Sequence, residues 1–147
     1  MNVIFLDVDG VLNSQQWALK MFAEGVRVYA EDMLDPHALR LLKRLVDESN
    51  AKLVVSSSWR GIPESMKALA DQLGQYGMKV YDVTPNVGET RGKDITAWFN
   101  RHSGKHQYVI LDDDSDMDEH ADHLVQTTFR EGLQAVHVDQ ALKMFKC

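Results

Sequence analysis

Three short apolar segments of this chain each run into a cluster of oxygen-bearing side chains. Residues 3–6 end at Asp7 and Asp9, residues 53–55 at Ser56, Ser57 and Ser58, and residues 108–111 at Asp112, Asp113 and Asp114. An apolar run of four residues that stops at polar ones reads as a buried strand. Between and after these runs the pattern is helical. Asp35-Pro36 supplies an N-cap and a first-turn proline ahead of Leu39, Leu42, Leu45 and Val46, and Pro63 precedes Met66, Leu69, Ala70 and Leu73. A further helix is expected from about Lys93, and a last one over residues 134–145, where Val138, Ala141, Leu142 and Phe145 share a face. Residues 79–83 and 123–127 complete a set of five strands. Strands that alternate with helices imply an α/β fold, a parallel sheet covered on both faces. Ligands of such sheets sit at the carboxyl ends of the strands, where the three polar clusters fall.

Composition narrows the class. The chain has 147 residues, 44% of them hydrophobic, which suits one domain over residues 1–147. The formal net charge of -6 disfavours a broad nucleic-acid-binding face. The single cysteine, Cys147, allows no internal disulfide and no cysteine-based zinc site. The first residues lack a basic region, and their apolar run is cut at Asp7, so neither a signal peptide nor a membrane span is expected there. A cytoplasmic location and no membrane partner follow as expectations.

Asp7-Val8-Asp9-Gly10-Val11-Leu12-Asn13 carries the most chemistry. Two carboxylates just past a buried strand are costly without a cation or partner. A divalent metal with oxygen ligands would offset that cost, and Gly10 permits a sharp exit from the strand. The same pattern also fits a plain acidic turn.

This segment resembles motif I of the haloacid dehalogenase superfamily. Ser56 after the second strand fits motif II, Lys93 in Arg91-Gly92-Lys93-Asp94 fits motif III, and Asp112-Asp113 after Val109-Ile110-Leu111 fits motif IV. Within the superfamily, Ser57-Ser58-Trp59-Arg60, Arg91-Gly92-Lys93, Leu111-Asp112-Asp113 and Glu131-Gly132-Leu133 look most like the domain of Swiss-army-knife RNA repair proteins. They are also similar to the phosphatase half of polynucleotide kinase-phosphatase. The resemblance implies a Rossmann-like core with strand order 5-4-1-2-3 and a Mg²⁺-dependent phosphatase acting through an aspartyl-phosphate. Asp7 would be the nucleophile and Asp9 the acid/base. Ser56 would hold the phosphoryl group, and Lys93 would balance the charge of Asp7 and phosphate. The metal would lie between Asp7, the backbone carbonyl of Asp9 and Asp113, with Asp112 or Asp116 in support. Val11, the run of three serines and Asp114 depart from the commonest pattern, and any of Ser56, Ser57 or Ser58 could be the phosphate ligand.

The remaining polar residues have two readings each. Arg60 and Arg91 suit bidentate phosphate contact but also suit a surface helix start, and Ser57 is a further substrate-binding candidate. Trp59 could stack a base, although a Trp beside a strand end is more often core. Six of the eight residues 112–119 are acidic. Asp118 and Glu119 are expected at a solvated helix start, and His120 and His123 at the surface. Trp17, Leu19, Met21 and Phe22 read as lid or core. The segment at about 14–35 is too short for a cap domain and leaves room for one helix, so the site should be open. The substrate expected is a nucleotide or a nucleic-acid terminal phosphate. The competing readings are a small-metabolite phosphatase closed by a second subunit and a phospho-ligand-binding module without turnover.

Overall fold

The computed structural model describes residues 1–26 and 33–146. Five strands, β1 (Asn2–Leu6), β2 (Lys52–Val55), β3 (Val80–Val83), β4 (Gln107–Asp112) and β5 (Leu124–Gln126), form one sheet in the order β3-β2-β1-β4-β5. Every pairing is parallel. This is the expected order read from the other edge. The helices are α1 (Gln15–Ala23), α2 (Pro36–Ser49), α3 (Pro63–Gly74), α4 (Arg91–Arg101) and α5 (Ala135–Phe145). Short 3-10 turns cover Ser58–Gly61 and Asp118–His123.

Side chains alternate across the sheet, as a two-residue period requires. Ile4, Leu6, Leu53, Val55, Val109 and Leu111 join the larger core cluster, which is closed by Leu39, Leu42 and Leu45 of α2, Leu69 and Leu73 of α3, and Val138, Ala141 and Leu142 of α5. Val3, Phe5, Val54 and Ile110 face the other way and meet Ile95 and Trp98 of α4 in a smaller cluster. Phe5 makes edge contacts with Trp98, Phe99 and Tyr108 at ring-centre distances of 5.4–5.8 Å.

Two local outcomes differ from the sequence expectation. Helix α4 starts at Arg91, two residues earlier than Lys93, because Thr90 is its N-cap and accepts a hydrogen bond from the Lys93 amide at 3.2 Å. His120 is buried rather than at the surface. Its ring nitrogens meet the Tyr108 hydroxyl at 2.7 Å and the Thr96 hydroxyl at 2.8 Å, and burial holds its pKa below the usual imidazole value. Of the cap-like insertion, α1 is the one helix among the described residues, and residues 27–32 lie outside them.

Candidate active site

The carboxyl ends of β1, β2 and β4 lie side by side because these strands are neighbours in the sheet. Asp7 follows β1, and its amide donates to the Leu111 carbonyl at 3.0 Å. That bond brings the Asp7 carboxylate to the end of β4. Asp7, Asp112 and Asp113 each offer an oxygen, and all three oxygens lie within 4.8 Å of one another. Gly10 makes room for this gathering. It has φ +83°, and a Cβ there would stand 2.4 Å from an Asp113 carboxylate oxygen.

Crowded, buried carboxylates resist ionisation. Burial raises the pKa of Asp7, opposed chiefly by Arg91. Burial and the neighbouring Asp7 push Asp112 up to about 8. The cation that answers them is Arg91, whose Nη1 lies 2.9 Å from Asp112 and 3.3 Å from Asp7. Its own burial favours loss of charge, but the facing carboxylates of Asp112 and Asp7 outweigh that and raise its pKa. An all-oxygen set with surplus negative charge fits a hard divalent cation such as Mg²⁺.

Lys93, expected to balance Asp7, does not reach it. It is exposed on the next turn face of α4, 3.7 Å from Glu89. Arg91, the first residue of α4, is the one whose guanidinium meets the strand ends. Gly92 permits the approach: a Cβ there would lie 2.3 Å from the Met117 carbonyl oxygen, and its amide donates to the Asp116 carbonyl at 3.0 Å. Asp116 therefore serves the helix end. Its carboxylate accepts the Arg91 amide at 3.1 Å.

Arg60, the other expected phosphate contact, is turned inward. Its Nη1 donates to the Ser56 and Ser57 carbonyls at 2.7 and 2.9 Å, and its Nη2 pairs with Asp94 at 2.7 Å. Asp94 also accepts the Val87 amide. Arg60 thus ties the loop after β2 to α4 in a buried ion pair. Ser57 caps the following 3-10 turn by accepting the Trp59 amide at 3.1 Å. The Ser56 hydroxyl is fully buried and has no partner among the described residues, so it alone of the three serines carries an unanswered polar group. Ser58 is exposed.

Asp9 stands apart from the acidic trio. One carboxylate oxygen accepts from Asn13 Nδ2 at 2.9 Å and the other from Trp59 Nε1 at 3.2 Å. The Trp59 ring is core, 5% exposed, so the indole N–H is fixed by packing. Sequence reading weighed Trp59 as core or base-stacking platform and missed this polar role; an indole in the core needs an acceptor, and that was the available signal. Asn13 also accepts the Gly10 amide at 3.0 Å, closing the loop on itself. Asp9, Asn13, Ser14, Gln15, Trp17, Ala18 and Phe129 line a groove of about 320 Å³.

A parallel β3-β2-β1-β4-β5 sheet with Asp7 and Asp9 after the central strand, a serine after β2 and paired aspartates after β4 defines a domain of the haloacid dehalogenase type. The model of one family within that class, the HAD domain in Swiss Army Knife RNA repair proteins, matches residues 3–138, and the chain belongs to it. No curated protein matches the chain, and no solved structure does. No helix among the described residues is long and apolar enough to cross a membrane.

Proposed function

We propose that this chain is a Mg²⁺-dependent phosphomonoesterase that works through an aspartyl-phosphate on Asp7, in one domain with a minimal cap. The observation that carries the reading is the unlike treatment of two nearby carboxylates. Asp7 sits in the acidic trio against Arg91, whereas Asp9 is held by two neutral donors and lines an open groove. A pure binder of phosphate has no use for the second arrangement.

Asp7 attacks phosphorus, and the bond from phosphorus to the ester oxygen breaks with its electron pair on that oxygen. Asp9, protonated, gives its proton to the leaving oxygen. A water molecule then attacks the same phosphorus and passes a proton to Asp9. The bond from phosphorus to Asp7 breaks, and inorganic phosphate departs. The Arg91 guanidinium lies where it can face both Asp7 and the added phosphoryl charge. The Ser56 hydroxyl supplies a donor that has no other partner. Asp7, Asp112 and Asp113, with the backbone carbonyl of Asp9, would hold Mg²⁺, which screens the charge of the phosphoryl oxygens.

The substrate class we infer is a nucleotide or a nucleic-acid terminal phosphate. The family's association with RNA repair and the short insertion before α2 support it. We place the reaction in the cytoplasm, in keeping with the lone cysteine. The test is release of phosphate from p-nitrophenyl phosphate with Mg²⁺ and with EDTA. Turnover with Mg²⁺ and none with EDTA is expected. Equal rates in both would overturn the metal role, and no release under any divalent cation would overturn the enzyme.

A further inference from the structure

We propose that the groove beside Asp9 is a nucleobase subsite, in which Trp17 and Phe129 receive the base of the nucleotide that carries the scissile phosphate. The inference rests on the phosphatase reading, since Asp9 marks the side of the site from which the leaving group departs.

Four observations support it. First, the groove contains Asp9 in its wall, so an ester whose leaving oxygen meets Asp9 extends its leaving group into this space. At about 320 Å³ it lies at the lower end of small-molecule sites, enough for one ring system rather than a folded polymer.

Second, its walls are two aromatic side chains from distant parts of the chain. Phe129 is 58% exposed, so its ring is open to a ligand. Trp17 is half-buried, and its indole N–H donates to the Met33 carbonyl at 3.3 Å.

Third, the walls are tied to each other and to the catalytic loop. The Gln15 and Gln16 amides donate to the Phe129 and Arg130 carbonyls at 2.9 and 3.0 Å. The Thr127 hydroxyl donates to the Gly10 carbonyl at 2.7 Å, and the Leu133 amide to the Val11 carbonyl at 2.9 Å. At Gly132, with φ +71°, a Cβ would stand 3.1 Å from the Val11 oxygen. The segment bearing Phe129 is therefore fastened directly to the loop that bears Asp7 and Asp9, and the aromatic pair keeps its place relative to both.

Fourth, the lining carries Asp9 and, among the described residues, no Lys or Arg, which argues against a second phosphate group there. Gln15 is exposed and makes no side-chain hydrogen bond among the described residues, so its amide can offer a donor and an acceptor to a base edge. Flat apolar walls with an amide at the rim suit a heteroaromatic ring better than a sugar.

The test has a binding arm and a kinetic arm. Trp59 and Trp98 are buried, so Trp17 is the indole open to a ligand. Adenosine 5′-monophosphate and adenosine 3′-monophosphate, added to the Asp7→Asn protein, are expected to quench tryptophan fluorescence at concentrations where ribose 5-phosphate does not. In the kinetic arm, the ratio of kcat/KM for the better nucleotide to that for ribose 5-phosphate is measured in the wild type, Phe129→Ala and Trp17→Ala. A fall in that ratio of about 10-fold in each variant is expected from loss of one stacking partner. An unchanged ratio, or quenching by ribose 5-phosphate equal to that by the nucleotides, overturns the subsite. Phenyl phosphate performing as well as the nucleotides overturns its assignment to a base. Quenching by nucleotides without phosphate release would leave the subsite standing and remove the phosphatase reading instead. Phe129 is at the surface, so its variant remains informative if Trp17→Ala fails to fold.

Discussion

Asp7 and Asp9 are two residues apart on one loop, yet the protein surrounds them in opposite ways. On the Asp7 side, three carboxylates share a buried space with one guanidinium, and like charge is concentrated there. On the Asp9 side, an indole and an amide hold a single carboxylate at the edge of an open groove, with no cation in contact among the described residues. The difference teaches that role follows from neighbours rather than from spacing. Burial and neighbouring like charge favour the protonated form of Asp7, and the Arg91 guanidinium opposes them. Asp9, held by neutral donors at the edge of a groove, is open to what enters it.

The strongest way to break this comparison is to exchange each acid for its amide. Asp7→Asn is expected to remove detectable turnover of every ester while leaving the fold intact, since it takes away one of several buried like charges. Near-normal phosphate release would show that Asp7 is not the nucleophile. Asp9→Asn should slow hydrolysis of alkyl phosphates by about 10²- to 10⁴-fold, with less effect on the first step for p-nitrophenyl phosphate. The aspartyl-phosphate should then accumulate on this variant, visible as one added phosphoryl group by mass spectrometry after acid quench. Equal slowing of both esters with no adduct would remove Asp9 from the acid/base role.

Removing the cation tests the other half. Arg91→Ala leaves the buried carboxylates of Asp7 and Asp112 without their guanidinium, and about 3 kcal/mol of stability should be lost in EDTA. Mg²⁺ should recover more stability in this variant than in the wild type, measured by urea denaturation. Equal recovery would mean that Arg91 and the metal do not share a charge. On the Asp9 side, Trp59→Phe keeps most of the ring volume and deletes one hydrogen bond to a carboxylate. Alkyl phosphate turnover should fall by about 10-fold, with little change for p-nitrophenyl phosphate. A uniform loss across both esters would make Trp59 a packing residue only.

The effect of pH is a slope. Asp112 has its pKa raised from 3.8 to about 8 in the folded, metal-free chain. Between those values the native state binds a proton that the unfolded state has lost. Stability should therefore fall as pH rises from about 4 to about 8, by at most about 1.4 kcal/mol per pH unit for one proton. Saturating Mg²⁺ should flatten the slope. Stability of the metal-free chain that rises across this range would contradict the crowding inferred at the trio.

Much of this was legible before any coordinates. Strand order, the positions of β1, β2 and β4, and the gathering of Asp7, Asp112 and Asp113 follow from apolar runs that stop at acids, together with the family resemblance. What escaped was fine register and inward polar contacts. The two-residue error at the start of α4 turned on Thr90, a good N-cap that the periodicity of Ile95, Trp98 and Phe99 does not report. Lys93 is expected beside Asp7 from the motif resemblance alone, and Arg91 is the cation that stands there. Arg60 looked like a phosphate ligand because local sequence cannot show that Asp94, thirty-four residues on, lies 2.7 Å away. His120 looked exposed because its partners, Tyr108 and Thr96, come from β4 and α4. The Arg60 and His120 misses concern contacts between different elements of the fold, where tertiary packing decides.

The sheet is clad unevenly, by α2, α3 and α5 on one face and by α4 on the other. Arg91 sits at the tip of α4, beside which the short 3-10 turn Asp118–His123 packs. A single helix can detach with fewer partners to abandon, so transient opening on this side would uncouple the guanidinium from Asp7 and Asp112 while the opposite face stayed assembled. Amide protons of α4 would then exchange with solvent ahead of those of α2 and α5. Occupancy of the acidic trio by a metal, which shares the charge that holds Arg91, would register as faster exchange in a helix that contributes no ligand to it.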